Sequence, residues 1–318
     1  MNTNKINSEV THSNFPLEKV LKELAGESGI GLTGNVYYVI LSTKAYLTDF
    51  LNKYQQKYSD GTMAVQVDTG NGLGIQAAIT ASYGGRSDYI LVMPGSYQLT
   101  TALTMVGKSS LHLIGVNGGG VGVGCVGAAL LQQTGAYQNL ILEAYDEVAG
   151  FQFINKSGYS AITMADAKWR ANVHHNYFHV VQGAAASIIA CAGSGMSHGF
   201  ICNNRFSTWF SGALTSHILI AGGSSIVISN NLISNSLGTV DTGINVGSSG
   251  QTIVMDNVIM DCGGLGTFTA GIQANPTSCL IGNRFALQSG TAIAGGLPDR
   301  SFVDNRDALA GGAVVIET

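Results

Sequence analysis

The sequence predicts an all-β solenoid, in which short strands wind into stacked coils. Three observations predict this fold. A six-residue pattern with asparagine in its fourth position recurs six times between residues 173 and 307. Apolar residues recur three positions before every one of these asparagines and, in five of the six cases, two positions after it. Glycine, asparagine, aspartate and serine divide the rest of each repeat into short apolar runs, which are typical of strands rather than helices.

The asparagines recur at intervals of 22 to 28 residues, a period that indicates a solenoid or an array. The segments are VHHNYF (173–178), ICNNRF (201–206), ISNNLI (228–233), VMDNVI (254–259), LIGNRF (280–285) and FVDNRD (302–307). The predicted structural ladder is Asn176, Asn204, Asn231, Asn257, Asn283 and Asn305. Because equal positions of successive coils stack about 4.8 Å apart, these side chains can bond to one another and to the turn backbone.

Two further regularities support stacked coils. The residue before each ladder asparagine is His, Asn, Asp or Gly, types that accept a positive φ more easily than most. A second strand is expected further along each repeat. These strands are SIIAC (187–191), HILIA (217–221), GINVG (243–247), AGIQA (270–274), TAIAG (291–295) and AVVIE (313–317).

With these features the chain resembles the right-handed, single-stranded parallel β-helices of the pectate-lyase-like superfamily, and in style the β-helix proteins of phage and virus particles. The resemblance covers roughly residues 63 to 318. It implies the fold, whereas activity varies widely among such proteins. Glycosidases of this fold usually carry adjacent Asp-Asp and His-Gly motifs, and His198-Gly199 occurs here without an Asp-Asp pair. The calcium-binding aspartate cluster of pectate lyases has no counterpart either, so the resemblance favours a non-catalytic protein.

The first 62 residues are predicted to form a polar arm and a small α+β attachment segment, followed by the β-helix over 63–318. PLEKVLKELAG (16–26) has leucines at helical spacing behind a proline, and NVYYVIL (35–41) reads as a strand. A second helix is expected to begin at Ser42 or Thr43, with aromatic residues on one face. IQAAITA (75–81) is predicted to cap the open end of the solenoid, because an uncovered end would expose unpaired strand edges.

Composition narrows the classes of partner. Charged residues make up 11% of the chain against about 25% in ordinary globular proteins, and the net charge is −4. Neither value favours nucleic acid or an anionic membrane surface. No apolar run long enough to span a membrane and no secretory signal is recognised, and no cofactor or metal-binding pattern is found. The low charge is expected either from a surface covered in an assembly or from short, charge-poor turns.

Paired carboxylates are the chemistry to look for in a carbohydrate-active β-helix. Asp241 and Asp261 occupy neighbouring coils at comparable points, so they are the weak candidates for acid and base if the chain is an enzyme. Asp256 and Asp304 precede ladder asparagines, where aspartate is expected for its backbone preference alone.

His174, His175 and His179 form a cluster in the sequence. If the strand is extended, His174 and His175 point to opposite faces and would not bind one metal ion together. Trp169, Trp209, Phe210 and Tyr177 could form an exposed aromatic strip for a glycan, or pack in the core or an interface.

The preferred interpretation is a non-catalytic structural or binding protein of a virus particle, such as a phage capsid decoration, tailspike or fibre. Residues 1–62 would attach it to other virion proteins, and a homo-oligomer, with a trimer as the specific guess, is expected. The location would be the virion, with an extracellular location as the alternative. A polysaccharide lyase or glycoside hydrolase of the phage depolymerase kind, and a cell-surface adhesin, are the competing functions.

Overall fold

The protein is a parallel β-solenoid. A computed structural model describes residues 34–116, 129–156, 158–164, 170–181, 187–191, 197–262, 265–295 and 302–307. Every pair formed by the described strands is parallel. The strands form an eleven-stranded sheet, called sheet 1, and a fifteen-stranded sheet, whose two parts are called sheets 2 and 3 and are connected by its two longest strands. The predicted helix at 16–26, the expected strand AVVIE (313–317) and Trp169 lie outside the described residues. The handedness of the coil stays a prediction.

Sheet 1 contains eleven strands. In spatial order they are β2 (Val65–Asp68), β1 (Val36–Leu41), β3 (Tyr89–Val92), β6 (His112–Gly115), β9 (Glu147–Ala149), β12 (Asn172–His174), β15 (Phe200–Cys202), β17 (Ile226–Ser229), β19 (Thr252–Met255), β22 (Cys279–Ile281) and β25 (Phe302–Val303). Each coil from β3 onward contributes one strand, so the strand number advances by two or three from one neighbour to the next.

Sheet 2 follows the asparagine turn. Its strands are β4 (Gly95–Leu99), β7 (Ala129–Gln133), β10 (Phe151–Asn155), β13 (Tyr177–Val180), the first part of β16 (Arg205–Ile220), the first part of β18 (Leu232–Asn245), β20 (Val258–Asp261), β23 (Arg284–Ala286) and β26 (Arg306–Asp307). Sheet 3 closes each coil. It contains β5 (Leu103–Thr104), β8 (Leu140–Leu142), β11 (Ile162–Met164), β14 (Ser187–Cys191), the later parts of β16 and β18, β21 (Gly266–Ala274) and β24 (Thr291–Gly295).

The second strands expected from the sequence lie in sheet 3. SIIAC and TAIAG coincide with β14 and β24, and AGIQA ends β21. HILIA and GINVG fall at the ends of β16 and β18, which continue from sheet 2 into sheet 3. The pairing of β16 with β18 has register shifts near Trp209, where each strand passes from sheet 2 into sheet 3. The second strand is therefore a separate element in some coils and a continuation in others.

The core is a column of apolar side chains enclosed by the three sheets. In sheet 1 the inward position is Ile90, Leu113, Val148, Val173, Ile201, Ile228, Val254 and Leu280 in successive coils, all with no exposed surface. In sheet 2, Phe153, Phe178 and Phe206 stack with ring centroids 4.9 and 4.8 Å apart. Burying a side chain of this size contributes about 1.5–3 kcal/mol, so repetition of the inward position stabilises every coil.

Two helices lie near the first strands. Helix α2 (Leu73–Ala81) contains the predicted IQAAITA segment and buries Ile75, Ala78 and Ile79 in the core beside Leu99 and Leu103. Helix α1 (Leu47–Tyr54) packs instead on the outside of sheet 1. The expected start of α1 at Ser42 or Thr43 is wrong. Two turns precede the helix, with Lys44 N bonded to Leu41 O and Leu47 N to Lys44 O, and no side chain caps its first residue.

The strand predicted at 35–41 is β1, and it lies inside sheet 1 between β2 and β3. The division of the chain at residue 62 stays a prediction, but the sheet pairing joins Val36–Leu41 directly to strands on the other side of that boundary. Among the described residues, no helix has the length and apolar character needed to cross a membrane.

Candidate functional site

The six asparagines form a continuous hydrogen-bonded ladder in the turn between sheets 1 and 2. The Nδ2 group of each donates to the Oδ1 atom of the next, at 3.2, 3.1, 3.0, 3.0 and 2.9 Å from Asn176 to Asn305. The same Oδ1 atoms accept the backbone N–H of the preceding asparagine, as in Asn204 N to Asn231 Oδ1 at 3.0 Å. Each Nδ2 also donates to a carbonyl of the preceding coil, such as Ile201 O for Asn231. The side chains are 0–7% exposed, so these residues hold the turn and do not face a ligand.

The backbone before each asparagine is left-handed, with φ of 53–64° at His175, Asn203, Asn230, Asp256, Gly282 and Asp304. This conformation turns the chain so that the asparagine points inward and the next strand starts in sheet 2. It is uncommon for L-residues, and the three types of the five non-glycine residues, His, Asn and Asp, are among those that tolerate it best. The residue types before the asparagines are thus explained by the turn.

The structure does not place Asp241 and Asp261 on one surface. Asp241 lies on the exposed outer side of sheet 3, between the buried residues Val240 and Thr242. Asp261 ends β20 in sheet 2 and shares the inward row with Asn235, its register partner. Its Oδ2 accepts the backbone N–H of Gln288 at 2.9 Å, and burial raises its pKa. One carboxylate faces solvent and the other faces the interior, so they do not flank a shared groove.

Three other aspartates serve the scaffold. Asp68 accepts backbone N–H groups of the turn that leads into α2, including those of Gly70 and Gly74. Asp88 accepts a backbone N–H from Tyr83 at 2.8 Å and pairs with Arg86. Asp146 accepts the N–H groups of Leu111 and Glu143 at 3.0 and 2.7 Å. All three are at most 1% exposed. Buried carboxylates of this kind satisfy backbone donors that turns leave unpaired.

Within the described part of the chain, a cluster of ionisable side chains lies on the outer side of sheet 1. Its centre is Glu147. Its Oε2 lies 2.5 Å from His112 Nδ1 and its Oε1 lies 2.6 Å from His174 Nε2. An ionised carboxylate only accepts, so both imidazole nitrogens must carry protons. Burial disfavours ionisation of Glu147, but the hydrogen bonds from His112 and His174 outweigh it and lower the pKa of Glu147 to about 2. Tyr89 stacks on His112 with ring centroids 4.2 Å apart.

His174 and His175 do not point apart, which corrects the expectation for an extended strand. Their Nδ1 atoms lie 2.8 Å apart. The alternation of strand side chains fails here because His175 has a φ of 54°. With the Nε2 proton of His174 directed at Glu147, its Nδ1 accepts from His175 in the neutral state. The result is a chain of hydrogen bonds from His175 through His174 to Glu147.

His179 is not part of that cluster. It lies on sheet 2, where its ring is stacked against Tyr177 with centroids 6.2 Å apart, and burial lowers its pKa. His217 is the buried histidine that sequence reasoning missed. It has no exposed surface, its Nε2 lies 2.8 Å from Thr208 Oγ1, and burial lowers its pKa to about 3. Its Nδ1 has no hydrogen-bond partner in the described structure.

A second polar row, also missed from the sequence, lies at the corner between sheets 2 and 3. Gln133 and Asn155 are 0–3% exposed and donate to backbone carbonyls of the corner, including Tyr137 O and Tyr159 O. Asn235 donates to Gly238 O and Thr267 O at 3.0 Å. The row keeps a fixed place, four residues after the ladder asparagines, but its residue changes from Val180 to Thr208, Asn235 and Asp261 in successive coils, so no recurring residue type identifies it in the sequence. Asp261 lies in this row, which explains its inward direction.

The expected aromatic strip is only partly exposed. Tyr177 and Phe210 are 6% and 7% exposed, whereas Trp209 is 58% exposed and its Nε1 donates to Ser207 Oγ at 2.9 Å. Among the described residues, no three His, Cys, Asp or Glu side chains are arranged to hold a metal ion. No protein-family model matches the chain, and no curated protein or solved structure matches it.

Proposed function

We propose that the chain is a non-catalytic structural or binding protein of a virus particle, of the capsid-decoration, spike or fibre kind. The placement of the carboxylates is the observation that supports this proposal most. Asp68, Asp88 and Asp146 hold turns, and Glu147 is held by two histidines. Glycoside hydrolysis by two carboxylates needs both of them beside one glycosidic bond. Asp241 and Asp261, the pair that the sequence offers, face opposite sides of the solenoid wall.

The regular interior is the second support. A column of stacked apolar residues and a buried asparagine ladder give a rod that can project from a particle or lie along it. The low charge of the chain fits a surface that is partly covered by partner subunits. On this proposal the protein is a homo-oligomer, with a trimer as the specific expectation, and residues 1–62 contact other virion proteins.

A glycan is the ligand that Trp209 would suit. Its exposed indole is fixed by the hydrogen bond to Ser207, and a rigid aromatic face offers apolar contact area at a low entropy cost. Trp209→Ala should then weaken binding to any polysaccharide that the wild type retains on an affinity column. Unchanged retention would assign Trp209 to protein contacts instead.

The proposal is tested by two assays on the purified chain. Light scattering after size exclusion should give a mass that is a multiple of the chain, with three copies as the specific expectation. A panel of acidic and neutral polysaccharides should yield no new reducing ends and no unsaturated products. A monomer that cleaves a polysaccharide, with cleavage lost in Asp241→Asn or Asp261→Asn, would replace the proposal with the enzyme alternative. Particles purified from the source culture should contain the chain by mass spectrometry.

A further inference from the structure

The outer side of sheet 1 changes character along the solenoid. On each strand one residue faces outward before the inward residue and one after it. The strand pairing places equal outward positions of successive coils side by side, so they form two rows. The first outward row is Tyr89, His112, Glu147, Asn172, Phe200, Val227, Ile253 and Cys279. The second is Leu91, Ile114, Ala149, His174, Cys202, Ser229, Met255 and Ile281.

At the first strands an amphipathic helix covers these outward positions. Phe50 of α1 is 7% exposed and lies against Tyr38, with ring centroids 5.7 Å apart. Leu47 and Leu51 of the same helix pack on a cluster that includes Ile40 and Leu91. The outer side of sheet 1 is therefore apolar here because a helix of the same chain is bound to it.

The middle of the outer side is polar. His112, Glu147 and His174 occupy the outward positions of β6, β9 and β12 and bond to one another. These residues satisfy their own hydrogen bonds and stay partly exposed. No apolar cover is required over them.

From β15 to β22 seven of the eight outward positions are apolar, and the eighth is the buried Ser229. We call these eight residues the apolar outer face: Phe200, Cys202, Val227, Ser229, Ile253, Met255, Cys279 and Ile281. Phe200 is 46% exposed and Ile253 is 39% exposed. Single exposed apolar residues are ordinary, but a contiguous, charge-free patch on four successive strands indicates a docking surface.

We propose that residues 16–26 of the same chain bind the apolar outer face as an amphipathic helix. The segment PLEKVLKELAG has Leu17, Val20, Leu21 and Leu24 at positions i, i+3, i+4 and i+7, which form one apolar stripe on a helix. Lys19 and Lys22 fall on the opposite side. One helical turn advances about 5.4 Å and one coil about 4.8 Å, so each turn of the stripe meets one strand.

Chain length fixes the direction in which this helix would lie. Gly34 lies beside Ser87 at the edge where the sheet 1 strands begin. The eight residue-to-residue steps from Gly26 to Gly34 span at most about 26–29 Å when the chain is extended. From β1 the strand β15 is five strand spacings away and β22 is eight, or about 24 and 38 Å. Only the end of the segment at Gly26 can therefore reach β15, which places its beginning near β22.

The helix length agrees with the size of the face. Eleven helical residues span about 16 Å, and the three spacings from β15 to β22 span about 14 Å. The inference does not rest on the virion role, because it concerns contacts within one chain. Helix α1 covers the outer side of sheet 1 at β1 and β3, and the proposed helix would cover it at β15 to β22.

Thiol labelling tests the proposal, because Cys202 and Cys279 lie in the apolar outer face. Cys262, which follows strand β20 of sheet 2, lies outside that face and serves as the internal control. The full chain is treated with a maleimide, and labelling of each cysteine is followed by mass spectrometry. The test variant combines Leu17→Asp with Leu21→Asp. The matched control combines Lys19→Gln with Lys22→Gln, which lowers the net charge by the same amount.

In the test variant Cys202 and Cys279 should label faster by about tenfold or more, the ratio that about 1.4 kcal/mol of docking produces. Cys262 should label at an unchanged rate, and the control variant should behave as the wild type at all three cysteines. Unchanged rates at Cys202 and Cys279 in the test variant would overturn the proposal. So would protection that depends on protein concentration and survives the leucine substitutions, since a second copy would then cover the face.

Discussion

The inner and outer sides of sheet 1 are built from the same strands but follow different rules. The inward residue is Val, Ile or Leu in every coil from β3 to β22, and from β12 onward the asparagine turn repeats beside it. The outward residues change from apolar and covered, through a glutamate held by histidines, to apolar and exposed. The inner side is constrained because each coil must stack on the next. The outer side is free of that constraint, so its residues can differ from coil to coil.

Breaking the ladder should have the largest effect. Asn231→Ala removes the Oδ1 atom that accepts from Asn204 N and Nδ2, and the Nδ2 group that donates to Ile201 O. The groups that lose their partners are buried. The unfolding free energy in urea should fall by about 3–5 kcal/mol, because each buried polar group left unpaired costs about 1–3 kcal/mol.

Asn230→Gly is the matched control for that substitution. Asn230 is exposed and has a φ of 54°, a conformation that glycine adopts without strain. Its unfolding free energy should stay within about 0.5 kcal/mol of the wild type. Equal losses in the two variants would contradict the assignment of the effect to the ladder hydrogen bonds.

The covered end of the outer side is tested with Phe50→Ala. Removing this ring from between Tyr38 and Tyr54 should cost about 3 kcal/mol, in the range for large-to-small changes of buried aromatic residues. Amide hydrogen exchange should become faster in α1 and in strands β1 and β3, on which α1 packs. Asn52→Ala, on the exposed side of the same helix, should change the unfolding free energy by no more than about 0.5 kcal/mol. Equal losses would contradict the packing described for α1.

The interior of the solenoid also contains a titratable group, on sheet 3, whose effect appears at mild acidity. The pKa of His217 is lowered to about 3 in the folded protein by burial. The unfolded chain therefore binds a proton first, and stability is lost as the pH falls from about 6.5 towards 3. Between pH 7 and 5 the loss should be about 2 kcal/mol in urea unfolding. His217→Phe should be less sensitive over that range, and equal sensitivity would contradict the buried neutral state.

The middle of the outer side should respond at lower pH and more weakly. The pKa of Glu147 lies below its ordinary value, so its contribution is complete above about pH 4.5 and is lost as the pH falls towards 2. Glu147→Gln should destabilise the protein at pH 6 by about 1–2 kcal/mol, after allowance for partial exposure. The difference from the wild type should vanish near pH 2. A difference that persists there would assign the effect to packing.

The asparagine period in the sequence predicts the stacking of the coils and most sheet 3 strands, because stacking requires the same residue at the same place. It does not predict contacts that depend on the turn or on unequal coils. The His174–His175 contact forms because one positive φ breaks strand alternation. The His112–Glu147 contact joins coils separated by 35 residues, outside the ladder period. Asp241 lies ten residues after its ladder asparagine and Asp261 only four, so they face different sides.

The apolar outer face did leave a readable signal. The position four residues before the ladder asparagine is Asn172 in the first repeat and then Phe200, Val227, Ile253 and Cys279. A strand whose outer face is exposed to solvent is expected to have a polar residue at this outward position. Consecutive apolar residues at this position therefore indicate a strand that is covered on both sides, which is the pattern that β1 and β3 show beneath α1.

The most direct test of this account is a cross-linking measurement on the full chain. Leu24→Cys and Leu17→Cys are made separately, treated with a short bis-maleimide at low protein concentration and digested for mass spectrometry. Position 24 should link to Cys202 and position 17 to Cys279 within one chain. This order follows because the residues between the helix and Gly34 are too few for the other end of the helix to reach β15. Lys19→Cys, on the opposite side of the predicted helix, should link to neither. Links formed only between chains, or no link to either cysteine, would contradict the claim that the chain covers its own outer face.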